Sequence, residues 1–189
     1  MGGEIALVIS NRPRAGGLGI AQSAGIETAL IDHQRYPTRE AFDQDLAGAI
    51  DSSQPDLVVL AGFMRILTPE FVARFSGRLM NIHPSLLPSY PGLHTHQRAL
   101  DNGDSHAGAT VHYVTGELDG GPPVLQAKVP VNAGDDADAL AARVLAVEHQ
   151  IYPVAVNWHL CGRLTWEDGG LLKDGMPVPP SGELWESAS

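Results

Sequence analysis

Two residues near the middle of the chain have types and spacing suited to acyl transfer. Asn81 and His83 stand two apart in Leu79-Met-Asn-Ile-His83, and in an extended strand residues i and i+2 point to the same face. An amide and an imidazole side by side can donate hydrogen bonds to an oxygen that turns negative during acyl transfer. A protonated imidazole is an acid as well. The same pair also fits a polar strand end with a satisfied histidine. Asp119, in Leu118-Asp-Gly-Gly-Pro122, has two readings too. Asp before Gly is a turn former, or its carboxylate pairs with His83 and raises that pKa above the ordinary value of about 6.5.

A second group is Gly62-Phe-Met-Arg-Ile-Leu67. Its apolar side chains could line a pocket for a flat ring, with Arg65 for an anion, or it is an exposed turn into the next helix. His94-x-His96, with His106 and His112 further on, raises a metal site. No cysteine lies near and there is no His-Glu-x-x-His helix, so no metal is expected. Gly17-Leu-Gly19 follows a candidate strand, but Gln22 stands where a dinucleotide fingerprint needs its third glycine and no acid lies at the required distance. There is no Gly-x-Ser-x-Gly nucleophile elbow.

The elements that must position these residues follow from apolar patterning. Short unbroken apolar runs at 5–9 and 57–61 suit parallel strands buried on both faces, and further strands are expected at 26–31 and 79–82. Between them, Leu18, Ala21 and Ala24 recur at helical spacing until Gly25, and Thr38 can cap a helix with Phe42, Leu46, Ala49 and Ile50 on one face. Thr68-Pro69-Glu70 reads as cap, first-turn proline and first-turn acid of a short helix ending before Gly77. Alternating strands and helices indicate an α/β domain with a parallel sheet. In such sheets ligands sit beyond the carboxyl ends of the strands, where the loops after Ala61 and Ile82 begin.

The pattern then changes. Residues 112–114 and 124–131 alternate with period two and suggest an antiparallel pair joined by a long loop. Asp135, Asp136 and Asp138 lead into a long amphipathic helix that Pro153 should kink or divide and Gly162 should stop. A short hairpin and a loose tail are expected at the end.

Composition sets the outer bounds. The 189 residues, with 43% hydrophobic and 18% charged, read as one globular domain over 1–189. The single Cys161 forms no internal bridge. The net charge of −10 argues against nucleic acid, which needs a basic face. No apolar run has the length of a membrane span and no leader is evident at the start, so the expectation is a soluble cytoplasmic protein.

Taken together, these segments resemble the folate-dependent formyltransferases, and within them the branch that formylates glycinamide ribonucleotide. The resemblance runs through 56–67, 79–88, 90–96, 108–114 and 118–122, and more weakly from Ser10-Asn11 to Glu148-His149. It implies a Rossmann-like fold with a mostly parallel sheet, C-terminal antiparallel strands and a long helix. The implied reaction moves a formyl group from 10-formyltetrahydrofolate, a co-substrate, to the amine of glycinamide ribonucleotide, without a metal. By matching motif, Asn81, His83 and Asp119 are catalytic, Arg39, Met64, Arg65, Ile66, Leu67 and Asn81 bind the folate, and Glu148 holds the ribonucleotide. The implied partners are these small molecules, with no nucleic acid or membrane, and the protein a monomer or homodimer. The family opens with a strand, a Gly-x-Gly-Ser-Asn phosphate loop and a helix, whereas this chain starts at what resembles the second strand. The expectation is therefore an impaired phosphate site and exposed strand edges. Within the family, 10-formyltetrahydrofolate hydrolase delivers the same group to water, and a folate-binding module without turnover is a further alternative.

Overall fold

The computed structural model describes residues 2–167 and 170–185. Strand β1 (Val8–Ser10), helix α1 (Gly16–Ser23) and strand β2 (Thr28–Leu30) form a parallel two-stranded unit. A 3-10 turn over His33–Arg35 leads to α2 (Arg39–Ser52), β3 (Val58–Leu60), α3 (Pro69–Arg74) and β4 (Leu79–His83). Then come α4 (Thr95–Asp101), β5 (His106–Tyr113), β6 (Pro123–Pro130) and the long α5 (Ala137–Leu160). The chain closes with β7 (Leu164–Glu167), β8 (Gly170–Lys173), β9 (Met176–Pro177) and β10 (Glu183–Leu184).

The main sheet has the order β10-β6-β5-β4-β3. β3 and β4 are parallel, β5 is antiparallel to both β4 and β6, and β10 runs parallel to β6. This is the α/β architecture that the alternating pattern implied, with the change to antiparallel pairing at β5. β1 pairs only with β2, and β3 only with β4, among the described residues, so each keeps an open edge. That openness explains a departure from the expected double burial of the apolar runs. Val59 is exposed although Val58 and Leu60 beside it pack inward, and Ile5 is exposed ahead of β1.

Helix starts follow local chemistry. Thr38 accepts a hydrogen bond from the Ala41 N–H, Thr68 from Phe71, and Asp136 from Ala139, each satisfying an otherwise orphaned first-turn donor. Pro153 does not divide α5, which continues to Leu160. It does remove the N–H that would bond to the His149 carbonyl. The expected loose tail is partly a strand. Glu183 and Leu184 add to the β6 edge, Trp185 N–H donates to the Gln126 carbonyl at 2.7 Å, and Trp185 packs against the core. Short apolar segments of this kind carry too little periodicity to be told from coil.

Two cores flank β4. Met80 joins Ala109, Val111 and Tyr113 of β5, Val124 and Leu125 of β6, and Leu140, Val144 and Ile151 of α5. Leu79, next in sequence but opposite in direction, joins Phe42, Leu46, Val58, Phe71 and Phe75. Asn81 and His83 share the Leu79 face. No helix among the described residues is long and apolar enough to cross a membrane.

α5 begins where β6 ends, at the carboxyl end of the parallel strands, and runs back along the sheet. Its Tyr152 hydroxyl reaches the carbonyls of Leu60 and Met80, at 2.8 and 2.9 Å, where β3 and β4 end their pairing. Burial pushes that phenol well above its ordinary pKa, so it stays a donor. Tyr152→Phe removes only this donor and is expected to lower stability by about 1–2 kcal/mol in chemical denaturation.

Candidate active site

His83 ends β4 with its side chain almost buried, and its two ring nitrogens point at acceptors. Nε2 lies 2.9 Å from the Tyr90 carbonyl, and Nδ1 lies 3.5 Å from Oδ2 of Asp119. A carbonyl only accepts, so Nε2 carries a proton. A second proton on Nδ1 makes the ring an imidazolium facing the Asp119 carboxylate.

Asp119 reaches His83 from the loop between β5 and β6. It holds a left-handed backbone (φ 50°) that few residues other than glycine adopt easily, asparagine and aspartate being the main exceptions. Its Oδ2 accepts the Gly92 N–H at 2.8 Å, and Oδ1 sits 3.9 Å from Nε2 of His112. The loop closes tightly on β5. A Cβ at Gly121 would lie 1.8 Å from the Tyr113 carbonyl oxygen, so only glycine fits there. Tyr90 and His94 are left-handed as well. Strained residues thus surround the Asp119 carboxylate on two loops, a pattern that marks functional sites.

His112 is the member of the cluster that spacing alone did not single out for catalysis. It lies directly opposite Asn81 in the β4–β5 register and is buried. Its Nδ1 is 3.0 Å from the Tyr113 carbonyl and therefore carries the proton. Burial above all, and the neighbouring His83, hold its pKa down. The neutral ring then offers an Nε2 lone pair, which takes one N–H of the Asn81 amide at 3.3 Å. That contact orients Asn81 with its nitrogen toward His112 and a second N–H free. The signal for His112 was the pairing of 79–83 with 110–113, which needs a register and not a motif.

The 62–67 loop is built by alternation. Met64 and Ile66 are exposed, at 67% and 64% of their surface, while Arg65 between them turns inward. The Arg65 guanidinium lies 5.2 Å over the Phe42 ring, and its Nε is buried without a partner among the described residues. Arg65 supports the loop through its contact with Phe42. The loop's far end is held by the buried Asp43, whose carboxylate accepts the Thr68 N–H at 2.6 Å. Leu93 and Leu118 are exposed near the same carboxylate loops, Leu118 touching the position where Gly92 would carry a Cβ. Exposed apolar side chains beside a buried polar cluster suit a flat ring with polar edges. Arg39 stands exposed at the start of α2, with only Glu40 3.7 Å away.

Glu148 precedes Tyr152 by one helical turn on the same stripe of α5. Since Tyr152 contacts the carbonyl of Leu60, the last residue of β3, and α5 runs away from the carboxyl end, Glu148 lies one turn nearer the strand ends. Burial raises its pKa. It stands apart from the Asn81–His83–Asp119 cluster, on the α5 side of the sheet. His94 caps α4 and His96 faces a small cavity lined by Ser85, Ser89, Tyr90 and His106. Among the described residues no three His, Cys, Asp or Glu side chains converge as a metal would need.

With this geometry in place, the comparison with known proteins is direct. The family pattern described as formyl transferase matches residues 1–156. The chain belongs to the formyl transferase family. Phosphoribosylglycinamide formyltransferase of Escherichia coli is 53% identical over 180 residues, covering 95% of this chain and 85% of that protein. The human trifunctional purine biosynthetic protein adenosine-3 is 41% identical over 169 residues, covering 89% of this chain and 17% of that much longer one. Among solved structures, phosphoribosylglycinamide formyltransferase from Coxiella burnetii, in complex with CHES, superposes with a TM-score of 0.92 at 47% identity. It covers 97% of this chain and 86% of that one. Formyl transferase membership accounts for the fold, including the antiparallel strands after β4 and the long α5.

The raised pKa of Glu148 has a consequence for stability. A carboxyl whose pKa is higher folded than unfolded destabilises the fold once pH exceeds its unfolded value, here near 4.5. Glu148→Gln is expected to stabilise the protein at pH 7, with the gain fading as pH falls through and below that value. Thermal melts of both proteins across this pH range check it.

Proposed function

We propose that the chain transfers the formyl group of 10-formyltetrahydrofolate to the primary amine of glycinamide ribonucleotide, as a single cytoplasmic domain. The observation that carries this reading is the Asp119 carboxylate held between two imidazoles beside a free Asn81 N–H. In this reading the amine nitrogen attacks the formyl carbon, and the carbonyl π pair moves onto oxygen. Asn81 donates its second N–H to that oxyanion, and the His83 ring, whose nitrogens face the Tyr90 carbonyl and Asp119, stabilises it by its positive charge when doubly protonated. Asp119 faces the His83 ring and accepts the proton lost by the attacking amine. As the oxyanion pair re-forms the carbonyl, the bond from carbon to the folate nitrogen breaks and that nitrogen takes the proton from Asp119, leaving the formamide product and Asp119 ionised again.

Met64, Ile66 and Leu67 supply apolar surface for the folate ring, with Arg65 shaping their loop and Arg39 free for the folate's carboxylates. Glu148 accepts hydrogen bonds from hydroxyls of the ribonucleotide, a role that suits a carboxylate left with so little protein compensation. No metal enters any of these steps.

The test is formyl transfer by the purified 189-residue chain, following release of deformylated folate with and without glycinamide ribonucleotide. Product that depends on the ribonucleotide supports the reading. Product formed equally without it shows water as acceptor, and no product from folded protein rejects transfer by this chain. Asn81→Ala is expected to lower kcat about 10²- to 10³-fold, the usual loss of one oxyanion donor.

A further inference from the structure

The segment from Pro84 to Tyr90 delivers the carbonyl that holds Nε2 of His83, yet it lies outside every strand. Side chains of β5 and β6 meet its backbone groups instead. Thr110 lies opposite His83 in the β4–β5 register and is fully buried. Its hydroxyl donates to the Ser85 carbonyl at 2.7 Å and accepts the Leu87 N–H at 3.0 Å and the Gln126 side-chain N–H at 2.9 Å. One donor and two acceptor positions are all that a hydroxyl has, and all are filled. The same Gln126 amide nitrogen also donates to the Leu87 carbonyl at 2.7 Å. Ser85 Oγ then donates to the Ser89 carbonyl at 2.6 Å, immediately before Tyr90.

Burying a hydroxyl and an amide in a sheet face gives a core no packing advantage over apolar groups of the same shape. What this pair adds is direction. A fully satisfied network fixes one backbone path, and here that path ends on the His83 ring.

We propose that Thr110 and Gln126 are positioning residues for His83. They hold the 84–90 segment so that the Tyr90 carbonyl keeps the proton on Nε2 and turns Nδ1 toward Asp119. The proposal rests on the formyl-transfer reading for its catalytic meaning, but the state of the ring can be observed without catalysis.

The experiment compares the full chain with its Thr110→Ser, Thr110→Val and Gln126→Met variants. Nitrogen-15 NMR of the histidine rings reports which nitrogen of His83 carries a hydrogen-bonded proton. Wild type and Thr110→Ser should show the Nε2–H signal, and Thr110→Val should lose it or show mixed tautomers. If the wild type transfers formyl, Thr110→Val should lower kcat about 10- to 100-fold, the scale of a small misplacement, with the ribonucleotide KM within about twofold. If the wild type transfers nothing, the functional reading fails while the ring signals still decide the positioning. A folded Thr110→Val with unchanged His83 signals overturns the proposal, as does a Thr110→Ser that fails to retain them. Should Thr110→Val not fold, Gln126→Met puts the same question at Leu87: altered His83 signals support the proposal and unaltered ones overturn it.

Discussion

A nearly buried carboxylate has to be compensated on every side, and the crevice of this protein is organised around doing so for Asp119. Taking such a charge out of water costs several kcal/mol unless hydrogen bonds and opposite charge replace the lost hydration. The replacements come from separate parts of the chain: the His83 imidazole at the end of β4 and the Gly92 backbone N–H. Each requirement then propagates. His83 needs the Tyr90 carbonyl, His112 needs the Tyr113 carbonyl to fix its tautomer, and the loop carrying Asp119 needs glycine at 121 to approach β5. The left-handed backbone at Asp119 is the local strain that this compensation supports.

Much of the site was legible because its chemistry is tied to residue type and spacing. Asn81 and His83 share a face by strand geometry alone, and Asp119 before two glycines marks a tight loop. Most of the strands and helices that carry them were visible in apolar periodicity, but β1 begins three residues later than its apolar run and β5 six residues before the expected alternation. What escaped was information held by backbone groups and by register. The Tyr90 carbonyl and Gly92 N–H have no residue signature, since every peptide offers such groups. His112 acquires meaning only when β5 is set antiparallel to β4 with Asn81 opposite. α4 starts at a left-handed His94 without a side-chain cap, after a proline-rich stretch, and so lacks the usual start signal.

Arg65 shows a different limit. An arginine between exposed apolar residues suggests a ligand contact, and its packing over Phe42 while its neighbours point outward was not visible in that spacing. Direction along an irregular loop depends on dihedral angles that composition does not encode. The same holds for β10, whose two paired residues form a strand only because β6 leaves an edge for them.

The placement of Leu79 and Met80 in opposite cores divides the molecule along β4. The loop with Met64 and Ile66 belongs with the Phe42–Phe75 core, while Asp119 and Glu148 hang from elements of the α5 core. Backbone pairing between β3 and β4 extends over Val58, Val59 and Leu60 only. Such a boundary separates units that can open at different free energies. A donor seated against the 62–67 loop and an acceptor held near Glu148 would contact both units at once. Ligands that bind only the joined form add to its stability by mass action, so reactants spanning both units would stabilise their union.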